Sequence, residues 1–100
     1  MKTMIFDISK NSAFTVCKKA LKEFNCDLVK SNYSTGIIEA EKGSSLLSFG
    51  SKIIISLKPS GNEKIKISIK SSSLGIQIID WGTNSENEVR IIDIIANKIR

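Results

Sequence analysis

The sequence predicts an α+β fold: a single antiparallel β-sheet with two α-helices packed on one face, in the order β-α-β-β-β-β-α. Three observations carry this. Ile53, Ile55 and Leu57 alternate with Lys52, Ile54, Ser56 and Lys58, and Ile65, Ile67 and Ile69 alternate with Lys64, Lys66, Ser68 and Lys70. Between them stands Pro59-Ser60-Gly61-Asn62, a turn in which proline presets φ and glycine accepts positive φ. Over 10–24 and 89–99 the apolar residues instead recur at steps of three and four, the helical period. Period-two alternation means one buried and one wet face, which implies an antiparallel sheet covered on one side.

The elements follow in order. Residues 3–8 place Met4, Phe6 and Ile8 on one face of a first strand. Ser9 offers a helix N-cap, because its hydroxyl can accept from a free N–H of the first turn. From Lys10 to Phe24, Ala13, Phe14, Cys17, Ala20, Leu21 and Phe24 form an apolar stripe, with Lys18, Lys19, Lys22 and Glu23 outside. Asn25 suits the left-handed position that ends a helix. Residues 26–32 form a second strand, with Cys26, Leu28 and Lys30 on one side and Asp27 and Val29 on the other. Ser34-Thr35-Gly36 turns the chain into a third strand with Ile38 and Ala40 inward and Glu39 and Glu41 outward. Gly43-Ser44-Ser45 breaks it, and 46–50 is loop or strand extension. The hairpin described above comes next. Ser71-Ser72-Ser73 is expected to interrupt or bend its second strand, Gly75 to mark a bulge, and Ile76, Ile78 and Ile79 to continue the strand or form a short last one. Ser85 and Glu88 match a capping box. Val89, Ile92, Ile95, Ala96 and Ile99 then make the stripe of the second helix, flanked by Ile91 and Ile94. Nearly all are β-branched, so packing rather than propensity must hold this helix.

One hundred residues, 41% of them apolar, are expected to form one domain, residues 1–100, with a core of its own. Eighteen residues are isoleucine and thirteen of the fifteen basic residues are lysine. Such usage is what an AT-rich genome favours, so the net charge of +5 is as readily compositional as functional. No apolar run approaches a membrane span. The N-terminal run is interrupted by Asp7 and gives no secretory signal, so a cytoplasmic, reducing setting is expected. Cys17 and Cys26 fit no zinc or redox spacing and are expected to be reduced and buried.

The chain has no histidine, the commonest general base and metal ligand. Asp7, Asp80 and Asp93 fall at element ends or on helix faces, and no glycine-rich phosphate loop is present. No catalytic residue, metal site or cofactor is therefore assigned.

Two features remain as candidate binding residues. Lys64, Lys66 and Lys70 share a strand face, joined by Lys52 and Lys58 from the neighbouring strand. This row is either a solvated sheet face or a polyanion-binding surface. Nucleic-acid recognition would favour aromatics and arginines among the lysines, and this face has neither. The other feature is Trp81 in the corner Asp80-Trp81-Gly82, an interface anchor or, as its surroundings favour, a plug between the sheet end and the second helix.

Ser48-Phe49-Gly50, the alternating hairpin and Asp80-Trp81-Gly82-Thr83-Asn84, with Asn87 in the next turn, resemble a group of small uncharacterised bacterial domains. The resemblance covers nearly the whole chain with the leading strand and helix included. That group has no established activity and lends no site residues. The topology is also similar to TATA-binding-protein-like or helix-grip domains, a likeness that implies a fold and no function. The chain is accordingly read as a non-catalytic binding or protein-interaction module. The alternative is a weak, sequence-independent binder of nucleic acid or anionic lipid through the lysine face.

Overall fold

The computed structural model describes residues 1–43, 50–73 and 83–99. Its elements are β1 (Lys2–Phe6), α1 (Lys10–Glu23), β2 (Cys26–Asn32), β3 (Ile37–Lys42), β4 (Ser51–Pro59), β5 (Ile65–Ser73) and α2 (Thr83–Ile99). The strands form one sheet in the order β1-β5-β4-β3-β2, and every neighbouring pair is antiparallel. The α+β class and the order of elements are those the sequence predicts.

The strands β1 and β2 lie on opposite edges, so α1 crosses the sheet between them. It packs on β2 and β4, while α2 covers β5 and β1 and touches α1. Ser9 caps α1: its backbone is extended and its Oγ accepts from the Ser12 N–H at 3.1 Å. Asn25 takes φ 61°, the left-handed turn expected after the helix. Ala13, Cys17 and Ala20 are fully buried along α1. Such short side chains let the helix axis lie close to its neighbours.

The core fills the space between sheet and helices. The strands contribute Ile38, Ala40, Ile53, Ile55, Leu57, Ile65, Ile67 and Ile69, and the helices Phe14, Cys17, Leu21, Ile91, Ile92 and Ile95. Gly36 sits in the β2–β3 turn at φ 71°, where its carbonyl accepts from the Leu57 N–H at 2.8 Å. A tight turn is thereby stitched to β4.

Five sequence expectations are corrected. Ser71-Ser72-Ser73 does not interrupt β5, because all three residues stay paired with β4. Serine is tolerated there because Ser71 faces inward onto polar side chains of α2. Ser85 and Glu88 form no capping box among the described residues: α2 already includes Thr83, and the Glu88 carboxylate accepts from the Ser71 N–H instead. Lys30 does not share a side with Cys26 and Leu28. A register shift between Leu28 and Lys30 turns it outward, opposite Glu39. Val89 is 43% exposed, outside the buried stripe. Lys64 precedes β5, because the hairpin loop runs on through Glu63, which takes φ 56°. The expectations for Ser48-Phe49, Gly75, Ile76–Ile79 and the corner with Trp81 lie outside the described residues.

Candidate binding surface

Both helices lie on one side, and among the described residues none covers the other face of the sheet. Register fixes what that face carries, since directly opposed residues share a side. On β1, β5 and β4 the outward residues are Thr3 and Ile5; Lys66, Ser68, Lys70 and Ser72; and Lys52, Ile54, Ser56 and Lys58. This half holds four lysines and no carboxylate. On β3 and β2 the outward residues are Ile37, Glu39 and Glu41, then Asp27, Lys30 and Asn32. That half holds three carboxylates and one lysine.

The division is sharp. Lys58 stands directly opposite Lys66, and Asp27 directly opposite Glu41. Like charges so placed disfavour the sheet. Attraction is confined to the boundary and the acidic half. Lys52 faces Glu41 and reaches Glu39 at 3.7 Å, and Lys30 faces Glu39. Of the sequence-predicted site residues, Lys58, Lys66 and Lys70 form the unpaired basic half. Lys52 is its paired border. Lys64 lies at the margin, in a hairpin tip where Asp7 and Glu63 line a depression of about 310 Å³ with Ile8 and Ser9. Trp81 is outside the described residues. Among the described residues, no carboxylate lies within ion-pair distance of Lys58, Lys64, Lys66 or Lys70.

Lysines on the helix side behave differently. Lys10 lies over the Tyr33 ring, Lys18 over Phe14 and Lys42 over Phe24, and Lys98 meets Glu23 at 2.7 Å. The aromatic rings that attract cations are therefore on the far side from the open face. A shallow groove of about 290 Å³ crosses the acidic half, lined by Lys30, Asn32, Thr35, Ile37 and Glu39.

Sequence reasoning missed a second cluster, inside the molecule. At the end of the sheet, Ser51 and Ser71 face the first turns of α2. Both hydroxyls donate to Asn84 Oδ1, at 3.2 and 2.8 Å, and Asn87 Nδ2 donates to both, at 3.1 and 3.2 Å. Asn84 Nδ2 donates to Ser73 Oγ at 3.0 Å. Glu88 accepts from the Ser71 N–H at 2.9 Å, just beyond the point where β1 stops pairing with β5, and its other oxygen lies 3.1 Å from the Met1 amino group. Ser51, Ser71, Asn84, Asn87 and Glu88 are all buried. The available signal was spacing: 84, 87, 88, 91, 92 and 95 continue one helical stripe from polar into apolar residues. The groups satisfy one another, as buried polar atoms must, and the cluster reads as structural.

The cysteines offer no nucleophile. Both are free and buried. Burial pushes the Cys17 thiol from 9.0 up to about 12. Cys26 is also raised, burial outweighing the opposing pull of Lys42. Reactive cysteines need the reverse shift. Native labelling should be slow and become stoichiometric on unfolding; rapid labelling of both in the native state would disprove burial. A thiol pKa raised by folding contributes stability below the unfolded-state value and loses it as pH climbs. Unfolding should therefore become easier between about pH 9 and about 12. Among the described residues, no three metal-ligating side chains converge, and no helix is long and apolar enough to cross a membrane.

No family model matches the chain, and no curated protein matches it. Among solved structures it is similar to the crystal structure of Ara h 8.0201, at 10% identity over 98% of this chain and 94% of that one, with a TM-score of 0.47. A likeness at that level assigns this chain no ligand.

Proposed function

We propose that the protein is a non-catalytic binding module whose docking surface is the open face of its sheet, and whose partner presents negative charge to β1, β5 and β4. The observation that supports this is the segregation of charge across that face. Interleaving the same residues would exchange two repulsions, Lys58 with Lys66 and Asp27 with Glu41, for two attractions. A face that served only to stay wet would gain from such interleaving. A face that meets an oriented, anionic partner gains from the split.

Two results test the reading. Changing Lys58, Lys66 and Lys70 together to Gln should leave the fold intact and stability unchanged or slightly higher, within about 0.5 kcal/mol. Titrating isotope-labelled protein with inorganic polyphosphate should shift the amide resonances of β4 and β5 around these three lysines, and the triple variant should lose the response. Shifts centred on α1 or α2 would remove the open face as the docking surface.

A further inference from the structure

We infer that the anionic partner is a lipid bilayer surface, met by the β1–β5–β4 half of the open face; this rests on the docking surface proposed above. Three features of that half select a bilayer over a nucleic acid.

The first is the kind of cation. All four are lysines, point charges that serve any anionic headgroup. The described arginine, Arg90, is on α2 and bound to Glu86 at 3.0 Å. The bidentate fork that reads bases or clamps phosphodiesters is thus absent from the described face.

The second is the apolar component. Single-stranded nucleic acid is held by stacking on aromatic rings, and among the described residues none faces outward here. The face presents aliphatic side chains instead. Ile5, 54% exposed on edge strand β1, stands beside Lys66 and Lys58 in one cross-strand row, and Ile54 stands beside Lys70 in another. Aliphatic groups set among lysines suit an interface in which amines meet headgroups and methyls enter the acyl boundary.

The third is the position of the acids. Glu39, Glu41 and Asp27 occupy the opposite half, and a negative membrane repels them. The sheet therefore meets the surface tilted, β1 and β5 down and β2 raised. Asp7 and Glu63, at the hairpin tip, bound the contact at its end.

The test is co-sedimentation with phosphatidylcholine vesicles made with and without phosphatidylserine, beside fluorescence anisotropy with single- and double-stranded DNA oligonucleotides in the same buffer. The protein should bind only the phosphatidylserine vesicles, and salt should weaken binding steeply. Each lysine near an anionic surface strengthens adsorption roughly fivefold. Changing Lys58, Lys66 and Lys70 to Gln should thus weaken it on the order of 100-fold. Glu41→Gln should strengthen it, which provides a variant that gains rather than loses. Ile5→Ser should weaken vesicle binding and leave any DNA affinity unchanged. Equal binding to both vesicle types, or vesicle binding that survives the triple change, overturns the inference. Binding to DNA through the same lysines with none to vesicles also overturns it, while leaving the open-face reading intact. Binding to neither, with no polyphosphate response on β4 and β5, ends both.

Discussion

Replacing Ile95 with Ala is expected to lower the unfolding free energy by about 2–5 kcal/mol. Ile95 is fully buried, between its equally buried helix neighbours Ile91 and Ile92 and the sheet. The change removes three carbon atoms from a packed interior, and the loss combines transfer and cavity costs. Nothing in α2 offsets it. The helix carries five isoleucines and a valine, which favour helix weakly, so it depends on this packing. For a domain of ordinary stability, about 5–15 kcal/mol, the change is a large share of the whole. Urea denaturation measures it. Val89→Ala is the control: Val89 is 43% exposed and should change stability by no more than about 0.5 kcal/mol. A loss at Ile95 no larger than at Val89 would mean that α2 is not packed as described.

Gly36→Ala should cost a comparable amount for a different reason. At φ 71° the backbone is left-handed, which penalises any L side chain by roughly 1–2 kcal/mol. The added Cβ would also stand 2.5 Å from the Leu57 carbonyl oxygen. That oxygen belongs to a central strand and cannot swing away like a side-chain tip. The turn must lift, which strains the bond from the Leu57 N–H to the Gly36 carbonyl. Forced overpacking adds about 1–3 kcal/mol, giving about 2–5 in total. Gly61→Ala separates the two contributions. Gly61 takes φ 80° in the β4–β5 loop, but a Cβ there meets nothing within 4 Å. Only the conformational part should appear, roughly 1–2 kcal/mol. Equal losses at the two glycines would show that the contact with Leu57 contributes nothing.

The parts legible in the sequence were those governed by one local rule. Alternation put Ile53, Ile55, Leu57, Ile65, Ile67 and Ile69 inside and the lysines of β4 and β5 outside. Ser9 and Asn25 ended α1 by chemistry that needs only their neighbours. The misreadings fell where a distant partner overrides local preference. Ser71-Ser72-Ser73 looks like a strand break until Asn84, Asn87 and Glu88 arrive from α2 to meet Ser71. Glu88 looks like a capping residue until an unpaired strand N–H competes for its carboxylate. Lys30 follows the alternation until a bulge, whose position depends on β3, reverses it. The lysine row itself was legible, but its meaning was not. That the acids of β2 and β3 gather on the other half of the same face depends on strand order, and local periodicity does not encode strand order.

The Asn–Ser cluster has a consequence for alignment. A rod studded with isoleucines, laid on a sheet of isoleucines, has several resting places: shifted by one turn, about 5.4 Å, it still sets methyl against methyl. In α2 such a slip would set Ile91 in the place of Asn87 and Asn87 in that of Asn84, so that Ser51 and Ser71 would each lose one of their two amide partners. Each stranded polar group costs about 1–3 kcal/mol. One end of the helix thus works as an index mark and the other as an adhesive. The polar residues decide where α2 comes to rest, and the isoleucines decide how firmly it stays.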